Sequence, residues 1–487
     1  MMSIERAQHE LDRRRQSVQT RYKPGYHLSV PAGWLNDPNG FGYFEGMAHL
    51  FYQFHPYDSV WGPMHWGHWI SQDLVHWQEA PVALAPDQAY DSYGCFSGTS
   101  VEADGKLMLM YTGVQPTGEE GKYYQQQCIA ESCDGLHFAK RAQNPVIDRT
   151  LLPAGASVYE FRDPKLSRTA TGYRVILASQ GPNGGQLLAY TSPDLNRWTY
   201  AGVYADGLAD MSECPDVFEL DGRTVLVVCE IGADAGAYGS PQVTLYAAGR
   251  EENGRFQAEG PLRLVDCGLD FYAPQTMQTP DGRRVLIGWA LSWSHVMPTH
   301  TLGHGWAGMM TLPRECTVDA NGMLCQKPIR ELASLRTREE RLESVAVNGR
   351  VSLPQLAGRQ REFELCIDLG DAPGLTLRLM ETQDEHFAIT YDRRTQLLRV
   401  DRSLCGYPLT PSLQPEQRPW CEAKVPLQNN RLMLHVFVDT SIVEIYADEG
   451  RVAMSSLAFP RGEAYGASIE AAGASIEKGL SWMMESK

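Results

Sequence analysis

Five times along the first two thirds of the chain, a polar turn ending in glycine leads into a short apolar run. Glu45-Gly46 precedes His49-Leu50-Phe51-Tyr52-Gln53-Phe54, and Asp104-Gly105 precedes Leu107-Met108-Leu109-Met110-Tyr111. Thr171-Gly172 precedes Val175-Ile176-Leu177-Ala178, and Asp221-Gly222 precedes Thr224-Val225-Leu226-Val227-Val228. Asp281-Gly282 precedes Val285-Leu286-Ile287-Gly288-Trp289. Apolar runs of this length, bounded by turn residues, read as buried strands entered from hairpins. The turn glycines lie 59, 67, 50 and 60 residues apart, the spacing of a four-stranded propeller blade with insertions. A second mark recurs in phase in the first three units: Ser71-Gln72-Asp73-Leu74, Ser132-Cys133-Asp134-Gly135 and Ser192-Pro193-Asp194-Leu195, each a polar turn before an outer strand that opens on an aromatic residue. Residues 24–330 are therefore predicted to form a five-bladed β-propeller.

The pattern changes on either side. Residues 1–23 begin as a short amphipathic helix, with Ile4, Ala7 and Leu11 on one side and Ser3 as its cap, and continue as an arm. Residues 331–343 are charged and are predicted to be a helical linker. From 344 to 487 strict alternation takes over, as in Phe363, Leu365, Ile367, Leu369 and in Leu432, Leu434, Val436, Val438. Period-two strands separated by polar turns predict a β-sandwich, so the fold class is all-β: a propeller followed by a sandwich.

A chain of 487 residues needs more than one core, in keeping with this division. The net charge of −16 argues against nucleic acid or an anionic membrane surface as partner, because both demand basic patches. No apolar run approaches the length of a membrane span, and the first residues lack the apolar stretch of a signal peptide. Eleven cysteines, an odd number with no C-x-x-C pair, point to a reducing compartment and hence a cytoplasmic location. A homodimer through the sandwich is compatible with the sequence, which does not decide it.

The candidate chemistry is carboxylate chemistry. Asp37 lies in Trp34-Leu35-Asn36-Asp37-Pro38-Asn39-Gly40, Asp163 in Phe161-Arg162-Asp163-Pro164, and Glu213 in Glu213-Cys214-Pro215-Asp216. Each falls nine residues before its unit's turn glycine. Equal phase in a propeller places three acids at one height around the axis, whereas unrelated surface turns would have no common phase. A cluster of carboxylates with little basic company suits glycoside hydrolysis, in which one group attacks the anomeric carbon and another protonates the leaving oxygen. The other two units present Phe96-Ser97 and Tyr272 at comparable places, with aromatic and hydroxyl groups to hold a sugar. Asn36, Gln53 and Arg162 are natural donors to sugar hydroxyls, and Trp61 is placed to stack on a ring face; Trp66 and Trp69 are assigned to the core. His65 and His68 have metal-like spacing, but on a strand they point to opposite faces. No glycine-rich phosphate loop and no G-x-S-x-G elbow is present, so neither cofactor nor metal is expected.

These motifs, together with Phe51-Tyr52-Gln53, Trp61-Gly62-Pro63, Phe271-Tyr272-Ala273-Pro274-Gln275 and Val438-Asp439-Thr440-Ser441-Ile442-Val443-Glu444-Ile445-Tyr446, closely resemble glycoside hydrolase family 32 over nearly the whole chain. The family contains invertases, sucrose-6-phosphate hydrolases, inulinases and levanases. The resemblance implies a five-bladed propeller plus sandwich and a retaining attack on β-fructofuranosides, with Asp37 matching the nucleophile, Glu213 the acid/base and Asp163 the transition-state stabiliser. The expected substrates are sucrose and short fructo-oligosaccharides, with sucrose-6-phosphate as the alternative and fructosyl transfer or non-catalytic sugar binding as lesser ones.

Overall fold

The computed structural model describes residues 2–485 apart from 294, 412–417 and 464. Its first element is the helix Ile4–Arg15, whose first turn donates Arg6 N–H to the Ser3 hydroxyl and which buries Ala7 and Leu11. The five predicted hairpins follow. In the first blade, Gly33–Phe44, Met47–His55, His65–Ser71 and Trp77–Leu84 form an antiparallel meander. Gly94–Ala103, Phe161–Thr169, Met211–Leu220 and Tyr272–Gln278 open the second to fifth blades. Every predicted apolar run is the second strand of its blade, buried between neighbours. The turn into that strand in the first blade holds Glu45 and Gly46 at φ 48° and 80°, the tight primed turn that matches strand twist and that glycine enters without strain.

The opening strands of successive blades touch one another in a closed ring, the fifth returning to the first. A segment inserted between the second and third strands of the fifth blade closes the ring by backbone pairing: Trp306–Ala307 runs parallel to Gly33–Trp34. Trp66 and Trp69 are core residues, as expected.

The expected helical linker at 331–343 is a correction. Arg330–Leu335 forms a short 3₁₀ helix of six residues, and the chain then enters a long strand, Arg336–Ser352, that belongs to the second domain. The strand pairs along nearly its whole length with Gly466–Met484. Its Glu and Arg residues favour a helix in isolation, but the ladder and the burial of Leu342 and Val347 override that preference. Gly466–Met484 also pairs with Gln360–Asp368 and with Gly374–Glu381, so one ribbon runs across both layers of the sandwich. The alternating residues Phe363, Leu365, Ile367, Leu432, Leu434, Val436 and Val438 fill its core.

Propeller and sandwich are joined by buried charge. Asp439 accepts from the backbone N–H groups of Gly25, Tyr26 and His27 at 2.6, 2.9 and 2.9 Å, and from His27 Nδ1 at 2.8 Å. The other nitrogen of His27 lies 3.1 Å from Glu444. Glu444 in turn meets Arg314 of the fifth blade at 2.9 Å, and Arg314 meets Asp266 at 2.8 Å. All of these side chains are inaccessible to water. Burial pushes the Glu444 carboxyl up, but Arg314 and His27 outweigh it and hold it at about 2. Among the described residues no helix is long and apolar enough to cross a membrane.

Removing one partner of a buried ion pair strands the other in a medium that cannot solvate it. Glu444→Ala is therefore expected to destabilise the protein by about 3–5 kcal/mol, read as a lower denaturation midpoint. A loss below about 1 kcal/mol would assign the domain joint to apolar packing alone.

Candidate active site

The opening strand of every blade is irregular at one level. Its pairing with the second strand slips between Leu35 and Pro38, between Phe96 and Gly98, and between Arg162 and Lys165. It slips again between Glu213 and Asp216 and between Tyr272 and Gln275. These are β-bulges, which re-aim side chains that a regular strand would send to alternate faces. The local sequence favours them: Pro38, Pro164, Pro215 and Pro274 have no N–H to give to the ladder. Asp163, Cys214 and Ala273 take φ of 60°, 45° and 49° there, an uncommon conformation for residues with a β-carbon.

The bulges turn Asp37, Asp163 and Glu213 into one axial cavity of about 610 Å³. Asp37 is almost fully buried. It accepts from Ser97 Oγ at 2.5 Å and from Asn36 Nδ2 at 3.0 Å, while Asn36 accepts from Trp34 Nε1 at 2.8 Å. Burial raises its carboxyl above the usual range, against the pull of those donors. Asp163 is also buried; it accepts from Cys214 N–H at 2.9 Å, and its own N–H donates to Thr112 Oγ1 at 3.0 Å. The Cys214 thiol lies 3.6 Å from Asp37 and 3.5 Å from Asp163, bridging the two acids. Burial raises Asp163 to about 7; Arg162 opposes this, and the charges of Glu213 and Asp37 add to it. Glu213 is held through both oxygens: Arg162 donates to Oε1 at 2.9 and 3.2 Å, and the Tyr272 hydroxyl donates to Oε2 at 2.8 Å. Arg162 is shared with Glu160 and with Gln125 at 3.2 Å.

Of the residues singled out in the sequence, Asn36, Gln53, Trp61, Phe96, Ser97 and Arg162 all line this cavity. Gln53 is fixed by donating to Cys95 O at 3.0 Å. Trp61 stands at the rim with 37% of its surface exposed. Tyr272, expected to touch the sugar, does not line the cavity; it lies buried and positions Glu213 from behind. The lining also includes Trp34, Gln125, Glu160, Trp293 and His295, which the repeat pattern did not single out. Glu160 and Trp34 adjoin the acidic motifs and were within reach of the sequence. Trp293 and His295 sit in the fifth-blade insertion, which has no repeat phase to mark it. Glu230, raised to about 7 by burial, lies behind the site with Ser212 donating to it at 3.1 Å. His65 and His68 serve packing: His65 meets Pro63 O at 2.8 Å and His68 meets His49 at 3.0 Å.

Carboxyl groups crowded at the axis of a propeller, with one guanidinium among them and aromatic rings at the mouth, suit the cleavage of a glycosidic bond. Comparison with known proteins narrows this. Residues 27–328 match the model of the glycosyl hydrolases family 32 N-terminal domain, and residues 331–482 match the family 32 C-terminal model. The chain belongs to glycoside hydrolase family 32. It is 34% identical over 482 residues to a sucrose-6-phosphate hydrolase of Escherichia coli, covering 95% of each chain. It is 34% identical over 474 residues to an Escherichia coli raffinose invertase, again with 95% of each covered. A Bombyx mori β-fructofuranosidase solved in complex with sucrose superposes with a TM-score of 0.83 at 30% identity, over 99% of this chain and 98% of that one.

The shift of Asp163 has a sign that can be measured. Below the unfolded-state value of 3.8 the carboxyl is protonated in both states and costs nothing. Above it the unfolded chain ionises freely while the folded site resists until about pH 7, so stability is lost as pH rises through this window. Asp163→Asn should therefore raise the melting temperature at pH 8, and the gain should shrink toward pH 4. A difference independent of pH would contradict the shift.

Proposed function

We propose that this protein is a retaining β-fructofuranosidase that releases terminal β-D-fructofuranosyl units from sucrose and short fructo-oligosaccharides. The observation that carries this is the unequal equipment of the three acids. Asp37 faces Ser97 and Asn36, two donors that favour its ionised form, as a nucleophile requires. Glu213 is held through both oxygens by Arg162 and Tyr272, which fixes its carboxyl in place for passing a proton to the leaving oxygen and taking one from water. Asp163, in the same cavity and pushed up to about 7 by burial, is suited to exchange hydrogen bonds with fructose hydroxyls as the ring flattens.

In this reading an Asp37 oxygen attacks the anomeric C2 of the fructosyl unit while Glu213 gives its proton to the departing oxygen. Water, deprotonated by Glu213, then cleaves the fructosyl ester, and inversion twice yields retention. Arg162 fixes Glu213 and offsets part of the negative charge.

Sucrose-6-phosphate is the second reading, favoured by the name of the Escherichia coli relative. The cavity weighs against it. Its described lining holds four carboxyl groups, on Asp37, Glu160, Asp163 and Glu213, against the single guanidinium of Arg162, which is already engaged by two of them. A phosphate dianion would forgo the contacts worth about 1.5–3 kcal/mol each that a basic pocket supplies. A cytoplasmic setting is part of the proposal and is supported by eleven free thiols, most of them buried.

Two outcomes follow. Early NMR spectra of the released fructose should show the β-anomer first, and Asp37→Asn should lower kcat on the order of 10⁴-fold or more; initial α-fructose would exclude the double displacement. In the substrate comparison, kcat/KM for sucrose should equal or exceed that for sucrose-6-phosphate. A preference for the phosphate above tenfold, about 1.4 kcal/mol in the transition state, would reverse the substrate choice and leave the acids' roles intact.

A further inference from the structure

Aromatic rings continue outward from the cavity along the second blade. At the rim, Trp61 and Phe96 meet edge to face with centroids 6.0 Å apart. Tyr93 adjoins both, at 6.1 Å from Trp61 and 6.3 Å from Phe96. Beyond Tyr93, Tyr123 lies against it at 4.0 Å with the ring planes 31° apart. Trp61 and Phe96 line the cavity, whereas Tyr93 and Tyr123 lie outside it. Tyr123 belongs to the strand Tyr123–Ser132, and its second neighbour Gln125 lines the cavity. Residues two apart share a face of a strand, so Tyr123 stands on the same face one step nearer the rim.

Neither tyrosine belongs to an apolar core of the blades, and both are only half-buried. Two large rings held against each other at the mouth of a cavity are an unusual use of exposed surface. Ring faces are apolar while the hydroxyls are polar, which matches the C–H faces and hydroxyl rims of a pyranose or furanose. On the fructosidase reading the acids take the fructosyl unit and the leaving group extends toward the rim, where Trp61 and Phe96 are among the lining residues.

We infer that Tyr93 and Tyr123 form an outer sugar-binding platform that holds the second hexose of a disaccharide leaving group, making the enzyme selective for trisaccharides such as raffinose and 1-kestose over sucrose. The inference rests on the fructosidase reading for the direction of the substrate, but not on which acid does what.

The test is a ratio. For wild type, Tyr93→Ala, Tyr123→Ala and Tyr123→Phe, kcat/KM is measured on sucrose, raffinose and 1-kestose. Each alanine variant should lower the trisaccharide-to-sucrose ratio about fivefold, through KM rather than kcat. Tyr123→Phe should keep the ratio, because the ring and not the hydroxyl provides the surface. An unchanged ratio in both alanine variants, or an equal loss on all three sugars, would overturn the platform. Calorimetric titration of Asp37→Asn with 1-kestose and with sucrose, with and without Tyr123→Ala, reads the same contact without turnover. If wild type failed to cleave sucrose, the proposed function would fall, while the titration would still decide the platform by whether 1-kestose loses its advantage.

Discussion

The site depends on interrupting a strand at one level, five times over. A regular strand sends successive side chains to opposite faces, so it can aim only every second residue into the axis of a propeller, and only between the rings of its neighbours. The bulges at Asn36-Asp37, Ser97, Asp163-Pro164, Cys214-Pro215 and Ala273-Pro274 relax this rule where the funnel begins. They turn Asp37, Asp163 and Glu213 inward, and they free the Cys214 N–H to serve Asp163 instead of a ladder partner. The left-handed backbone at Asp163, Cys214 and Ala273 costs on the order of 1 kcal/mol or more at each place. The closed ring of opening strands and the buried second strands behind them hold it there.

Crowding acids in a buried cavity has an electrostatic cost, visible as the upward shifts of Asp37 and Asp163. Arg162 meets it only in part. Its guanidinium joins Glu160 to Glu213 and stays 3.9 Å from Asp163, so one cation serves several anions. That leaves the third-blade acid able to hold a proton near neutral pH, and the first-blade acid dependent on neutral donors. Stability given up here is the usual companion of a site built to act on charge developing in a substrate.

The sandwich supplies what a propeller ring lacks, a rigid neighbour for its fifth blade and N-terminal arm. Asp439 gathers three consecutive backbone donors of the arm, and Glu444 engages His27 and Arg314 together. The sandwich also reaches the mouth of the funnel. His295–Val296, whose residues line the cavity, pairs with Thr410–Pro411 of the sandwich. One wall of the active-site entrance is therefore set by the second domain, although the carboxyl groups all come from the first.

The sequence alone made legible the number of blades and the succession of propeller and sandwich, and it singled out three acids that the structure brings into one cavity. Each rests on a repeated local signal: a turn glycine, an alternating strand, an acid at constant distance from its turn. Local signals survive any tertiary arrangement, which is why they are legible along the chain. The linker departs from expectation for the same reason: residues 336–343 carry a helix-like composition and become a strand only because Gly466–Met484, far along the chain, lies beside them. The function of Tyr272 behind Glu213, the sharing of Arg162, and the entry of Trp293 and His295 into the cavity were likewise decided by tertiary structure. Each depends on a distance between residues remote in sequence, and hydrogen-bond geometry and burial come into being only when the ring closes.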